Sequence, residues 1–193
     1  MKKTLALIAL LPLSACISFG AKPPPSLLTL TSAQALPAGQ TQSSANAPTI
    51  TIAVPSFSQA LATTRVPVQS SDTALAYVPD AQWVELPGRL FARLLSDTVA
   101  AKSGRVVLST AQSFSDPGSR LSGELRAFGV DATTNEAVVT FDAALIRNTG
   151  TVVEKRRFET RVPLTAIEAT AVGIGVNQAA NQVASDVADW VGR

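Results

Sequence analysis

The residue whose neighbours most clearly prescribe chemistry is Cys16. It closes Leu13-Ser14-Ala15-Cys16, the spacing of a lipobox, in which small residues precede a cysteine whose sulfur takes a diacylglycerol. Met1-Lys2-Lys3 supplies a positive start, and Thr4 to Leu11 an apolar run. That run is too short for the ~20 residues of a bilayer span and has the length of a signal-peptide h-region. Residues 1–15 therefore read as a lipoprotein signal peptide, and Cys16 as the lipidated first residue of a tether over 16–25. Cys16 is also the only cysteine in the chain, which leaves no disulfide framework and no thiolate cluster for a metal. Ile17 follows it where an Asp would signal retention in the inner membrane. The expected address is the outer membrane, with the domain lipid-anchored and facing the periplasm.

Other chemistry is poorly provided for. The chain contains no histidine, so the commonest general base and the commonest metal ligand are both missing. Serine–histidine, cysteine–histidine and the usual zinc sites are excluded. Gly173-Ile174-Gly175 carries two glycines of a dinucleotide motif, but Gln178 stands where the third belongs and no strand precedes it. No pair of carboxylates stands out for acid–base work. The expectation is a non-enzyme with no cofactor and no metal. The formal charge of +2 loses Lys2 and Lys3 with the signal peptide, so the mature side chains balance. A nucleic-acid partner is not indicated.

The elements that would carry any surface site can be read from periodicity. Pro23-Pro24-Pro25 suits a stiff extended tether, and Leu27 to Leu30 a first short strand. Residues 31–48, uncharged and rich in Ala, Gln, Ser and Thr, read as a flexible loop. Thr49 to Val54 alternates as a β-branched strand closed by Pro55. Arg65 to Gln69 is a further extended piece, with Pro67 suggesting an edge. Ala74 to Val78 is another, ended by Pro79-Asp80. Leu86, Leu90 and Leu94 with Phe91, Leu95 and Val99 form an apolar stripe. They predict a helix from Pro87 to Lys102, stopped at Gly104. Arg105 to Leu108 is a short strand. Three strand-like runs follow: one from Leu121 with a bulge near Gly129, one placing Val139, Phe141, Ala143 and Leu145 on one face, and one over Val152 to Val162 with Phe158 inward. Asn148-Thr149-Gly150 is hairpin chemistry, so these three predict an antiparallel meander. Thr165-Ala166-Ile167-Glu168 has capping-box spacing ahead of a terminal helix ending near Trp190. One mixed sheet covered by two main amphipathic helices gives an α/β domain over residues 26–193.

In this order the features resemble the ABC-type transport auxiliary lipoproteins. The resemblance rests on Cys16 before Leu27 to Leu30, the loop leading to Ile50-Thr51-Ile52-Ala53-Val54-Pro55, and Arg65-Val66-Pro67-Val68. It continues through the Tyr77 strand, Trp83, the helix Leu86 to Val99, and a last helix closing on Trp190-Val191. It covers nearly the whole mature chain. The resemblance implies a three-layer α/β/α fold with a mixed, largely antiparallel sheet. It implies a non-enzymatic auxiliary component of a phospholipid transport system. The partners would be a mammalian-cell-entry domain protein and an ABC transporter permease/ATPase complex, with a homo-oligomeric ring as the implied assembly. A lipoprotein regulating cell-wall synthesis or envelope assembly shares anchor, size and fold class and is the competing function. Trp83-Val84-Glu85-Leu86-Pro87-Gly88 departs from the family pattern, because relatives often enter this helix without a glycine.

Five residues are candidates for partner binding. Tyr77 and Trp83 flank the Pro79-Asp80 turn, and Trp83 would either anchor a partner or pack the helix start onto the sheet. Lys155-Arg156-Arg157 is the one dense basic run. It would either meet phosphates or an acidic partner, or protect an edge strand from aggregation.

Overall fold

A computed structural model describes residues 26–193 apart from Ser115, Pro117 and Thr149. Cys16, Ile17 and the Pro23–Pro25 tether lie outside the described residues. The strands are β1 (Thr49–Ile52), β2 (Ser56–Phe57), β3 (Arg65–Ser71), β4 (Ala74–Gln82), β5 (Val106–Leu108), β6 (Ser119–Asp131), β7 (Glu136–Ile146) and β8 (Val153–Pro163). Helix α1 spans Pro87–Ser103 and α2 spans Ala169–Gly192. All eight strands join one mixed sheet, so the α/β class with two main helices holds.

The sheet is organised around β6. On one side it pairs antiparallel with β7, which pairs antiparallel with β8, giving the expected meander. On its other side β1, β2 and β3 pair with it in succession, all parallel. The chain from Thr49 to Gln69 thus follows β6 as a broken strand. A short 3-10 turn, Gln59–Leu61, makes the break. β5 continues the sheet beyond β1, and β4 beyond β3. Period-2 side-chain alternation sets the inner face: Val139, Phe141, Ala143 and Leu145 of β7 are all buried, with Leu121 and Leu125 of β6 and Phe158 of β8.

Both helices cover that same face. Phe91 of α1 packs edge-on to Phe141 at 5.3 Å and to Phe128 at 6.3 Å. Gly175 of α2 lies against Ala137 and Leu164, where a Cβ would come within 2.5 Å of Leu164. The helices also pack on each other with their C-terminal ends together. There Lys102 reaches Ser185 Oγ and Asp189, each at 2.8 Å, and cations suit a helix C-terminus. The cover on the opposite face is the 3-10 turn, whose Leu61 is buried, in place of a third layer of long helix.

Several boundaries move for physical reasons. β4 runs on through Pro79 to Gln82, because β4 is an edge strand and a missing N–H costs no ladder bond there. Asp80 absorbs the irregularity with φ of 56°. The register slips between Leu125 and Ala127 of β6, a few residues before the expected bulge at Gly129. The capping box does not form: α2 begins after Glu168, and no side chain caps it. Gly88 in the entry to α1 faces the Phe57 ring, which a Cβ would meet at 2.6 Å.

The amino-terminal segment is a strap. Leu28 makes a single parallel bridge to Trp83 instead of a four-residue strand. Residues 31–48 form no helix or strand, yet their start is fixed to α2. Asn177 Oδ1 accepts from the Thr31 N–H at 2.9 Å, and Asn181 Oδ1 from the Ala33 N–H at 2.7 Å. Asn181 Nδ2 donates in turn to the Thr31 carbonyl. Uncharged composition had suggested freedom; two asparagines one helical turn apart remove it.

Candidate functional site

The chain enters the domain where β4 hands over to α1. Leu28 donates its N–H to Gln82 O at 2.7 Å, and its carbonyl accepts from Val84 N–H at 2.9 Å. The Leu28 side chain lies against Gly173 of α2, where a Cβ would come within 2.7 Å. Trp83 sits beneath this bridge. It is 1% exposed and its ring centroid is 5.3 Å from Phe128. The docking alternative for Trp83 therefore fails: its indole is inside the core and helps hold α1 to the sheet. Tyr77 lies on β4, half-buried, with the Arg65 guanidinium 4.0 Å over its ring. It is remote from Trp83 in character, one surface-accessible and the other enclosed.

The basic run Lys155-Arg156-Arg157 falls on β8, an edge strand paired with β7 alone. Strand geometry splits it across two faces. Arg156 stands opposite Ala143 on the helix-bearing side, with its guanidinium 4.9 Å over the Phe158 ring. Lys155 and Arg157 point to the helix-free side. Arg157 is bidentate to Asp142, at 2.6 and 2.7 Å, so its charge is already met. The three residues line an open depression of about 740 Å³ together with Ser122, Glu124 and Asp142. They do not form one cationic patch, and sequence proximity overstated their joint charge.

The helix-free face carries a charge ladder that the sequence did not announce. Arg126 reaches Glu124 and Asp142. Arg161 reaches Asp131, Glu136 and Glu159, and Thr140 donates to Glu159. The Thr133 hydroxyl and Arg161 hold the Asp131 carboxyl down to about 2. Arg157 lowers Asp142 by hydrogen bonding, and Arg161 followed by Thr140 lowers Glu159. The only sign in the sequence is alternation: Glu124, Asp142, Arg157, Glu159 and Arg161 all occupy the outward phase of their strands. Between this ladder and the 3-10 turn lies a hollow of about 300 Å³ lined by Leu61, Pro67, Leu75 and Val138, with Arg126 and Arg161 at its edge.

These surfaces hold their charged side chains largely in pairs. No group of three or more potential metal ligands occurs among the described residues. No helix of the described residues is long and apolar enough to cross a membrane. What decides the family is a match over the domain itself. Residues 28–188 match the family model of the ABC-type transport auxiliary lipoprotein component. The chain belongs to that family. The matched span begins at the Leu28 bridge and ends inside α2, so it includes every strand, α1 and most of α2. A protein from Xanthomonas campestris has a similar crystal structure, with a TM-score of 0.68 and 20% sequence identity over 86% of this chain and 94% of that one. A second crystal structure, of an uncharacterized protein, aligns with a TM-score of 0.62 and 16% identity over 74% of this chain and 92% of that one. At these identities the two structures speak for the fold. No curated protein matches the chain.

Proposed function

We propose that this family member is a non-enzymatic lipoprotein of the outer membrane, held through a diacylglyceryl-modified Cys16. It serves a mammalian-cell-entry type phospholipid transport system. The observation that carries the reading is the family match over residues 28–188, joined to the lipobox that precedes it. The domain has no phosphate-cradling loop with which to spend ATP. Nine residues separate Cys16 from Ser26, and the ten steps between them extend to at most ~35 Å, so the domain stays close to its membrane. Energy and reach must come from partners. A permease/ATPase complex would supply the first and a mammalian-cell-entry protein the second.

In this reading the lipoprotein receives one end of the periplasmic partner, and self-association into a closed ring is the assembly that fits such an end. β8 and β4 leave open sheet edges through which copies could meet.

The test is complementation. In a strain lacking the gene, loss of outer-membrane lipid asymmetry is expected, read as surface-exposed phospholipid. Wild type should restore the barrier and Cys16→Ala should not. Clickable fatty acid should label the wild type alone. Equal labelling of Cys16→Ala would end the anchor reading. An intact lipid barrier in the deletion, with altered cell-wall synthesis, would hand the function to the envelope-regulator alternative.

A further inference from the structure

We propose that the hollow on the helix-free face is a lipid site, which seats one aliphatic chain of a phospholipid and holds its phosphate on Arg126. The proposal deepens the transport reading and rests on it for the choice of lipid. The hollow exists because a strand is broken. β2 pairs with β6 at Glu124 and Leu125, and β3 pairs with it at Val130 and Asp131. Between them Arg126 to Gly129 have no ladder partner on that side, and the chain detours through the 3-10 turn Gln59–Leu61. The β6 residues left facing the gap are small. Ala127 stands opposite Thr140 and Gly129 opposite Val138, both in the outward phase. The resulting volume is about 300 Å³, at the lower end for small-molecule sites. It suits a single chain and not the pair that a diacyl lipid carries.

The lining selects the occupant. Leu61, Pro67, Leu75 and Val138 present aliphatic carbon. Leu75 is 44% exposed, so a chain seated there covers apolar surface that the fold leaves in water. The charged groups stand at the rim, where an amphiphile carries its head. Arg126 is the most loosely held of them. The register slips between Leu125 and Ala127, which makes Arg126 the extra residue of a bulge, a feature that re-aims a side chain. Its guanidinium lies 3.4 Å from Glu124 and 3.6 Å from Asp142, longer than the ~2.7–2.9 Å of a close charged pair. Asp142 is already taken by Arg157 at 2.6 Å. Arg161, on the same rim, is committed to Asp131, Glu136 and Glu159. A guanidinium fork meets a phosphate with two parallel bonds. The loosely held cation beside an aliphatic floor therefore matches a phospholipid.

The test is photocrosslinking in cells that express the full-length protein. A photoreactive phenylalanine analogue replaces Leu75, and a control protein carries it at Val152, an exposed position between β7 and β8. Cells are grown with radioactive phosphate before irradiation. A diacylglyceryl anchor contains no phosphorus, so label on the protein reports a bound phospholipid and not its own lipid. Label is expected at position 75 and not at 152. It should fall about tenfold in Arg126→Ala, the loss of one charge-assisted contact, and vanish in Ala127→Trp, which fills the hollow. Circular dichroism scores the folding of each variant. Arg126, with a side chain 49% exposed, can be truncated without touching the core, so it decides the matter if Ala127→Trp does not fold. Label at 75 no stronger than at 152 in folded protein would overturn the site, and so would label that survives both substitutions unchanged. An adduct identified by mass spectrometry as a fatty acid without phosphate, or as a peptide of another protein, would also overturn it. Failure of the transport reading looks different: position 75 labels as expected, which upholds the site, yet the deletion strain keeps its lipid barrier.

Discussion

Replacing Trp83 separates packing from docking. The side chain is 1% exposed, packs tilted against Phe128 at 5.3 Å between ring centroids, and its indole N–H meets no acceptor among the described residues. Trp83→Ala removes the largest side chain of the core near the start of α1. Truncations of this type cost ~3–5 kcal/mol. For a domain of this size each kcal/mol lowers the thermal midpoint by ~2–4 °C, so a fall of roughly 6–20 °C is expected. Trp83→Phe behaves differently. The smaller ring leaves a gap of about 40 Å³, worth ~1 kcal/mol at ~24 cal/mol per Å³. Removing an unpaired buried donor returns ~1–3 kcal/mol. The two terms oppose each other, and the midpoint should stay within a few degrees. The assay is thermal unfolding of both variants by circular dichroism, with partner recovery measured at a temperature where each is folded. A Trp83→Ala protein that keeps the wild-type midpoint would refute the buried placement. A Trp83→Phe protein as unstable as Trp83→Ala would instead refute the unpaired donor, because it would mean that the indole N–H is bonded.

Three further outcomes are expected. Leu94, 3% exposed on the stripe of α1, should cost ~2–5 kcal/mol as Leu94→Ala, read from urea unfolding; an unchanged midpoint would place that face in solvent. Asn181→Ala removes the acceptor for Ala33 N–H and the donor to Thr31 O, so hydrogen exchange over residues 31–34 should accelerate while the β6–β7 amides keep their protection; equal exchange in both proteins would mean that the strap is held elsewhere. Asp131, Asp142 and Glu159 all have depressed folded-state pKa values, Asp131 at about 2. A depressed carboxylate stabilises the fold above its unfolded value of ~4, and that stability fades as pH falls through the folded value. The thermal midpoint should therefore drop between pH ~4 and ~2, and less so in Asp131→Asn; identical acid profiles would show that the ladder contributes nothing.

Much of this fold is legible because simple periods govern it. Val139, Phe141, Ala143 and Leu145 announce their face by alternation, and the stripe from Leu90 to Val99 announces α1. What stayed hidden depends on contacts distant in sequence. Nothing local says that β1, β2 and β3 share β6 as a common partner, with a turn at Gln59–Leu61 covering the far face. The strap over residues 31–34 looks unstructured because its partners are side chains some 150 residues away. The basic run on β8 misleads for the opposite reason. Neighbours in sequence are opposite in a strand, so Arg156 and Arg157 serve different faces. Gly88 looks like a departure from the family until Phe57 is seen against it.

The most direct test of the central claim is affinity purification of the lipidated protein from membranes solubilised in mild detergent, with mass spectrometry of what accompanies it. The account predicts recovery of a mammalian-cell-entry protein together with a permease and an ATPase, lost when Cys16→Ala prevents anchoring. Recovery of cell-wall synthases without any of these would contradict it.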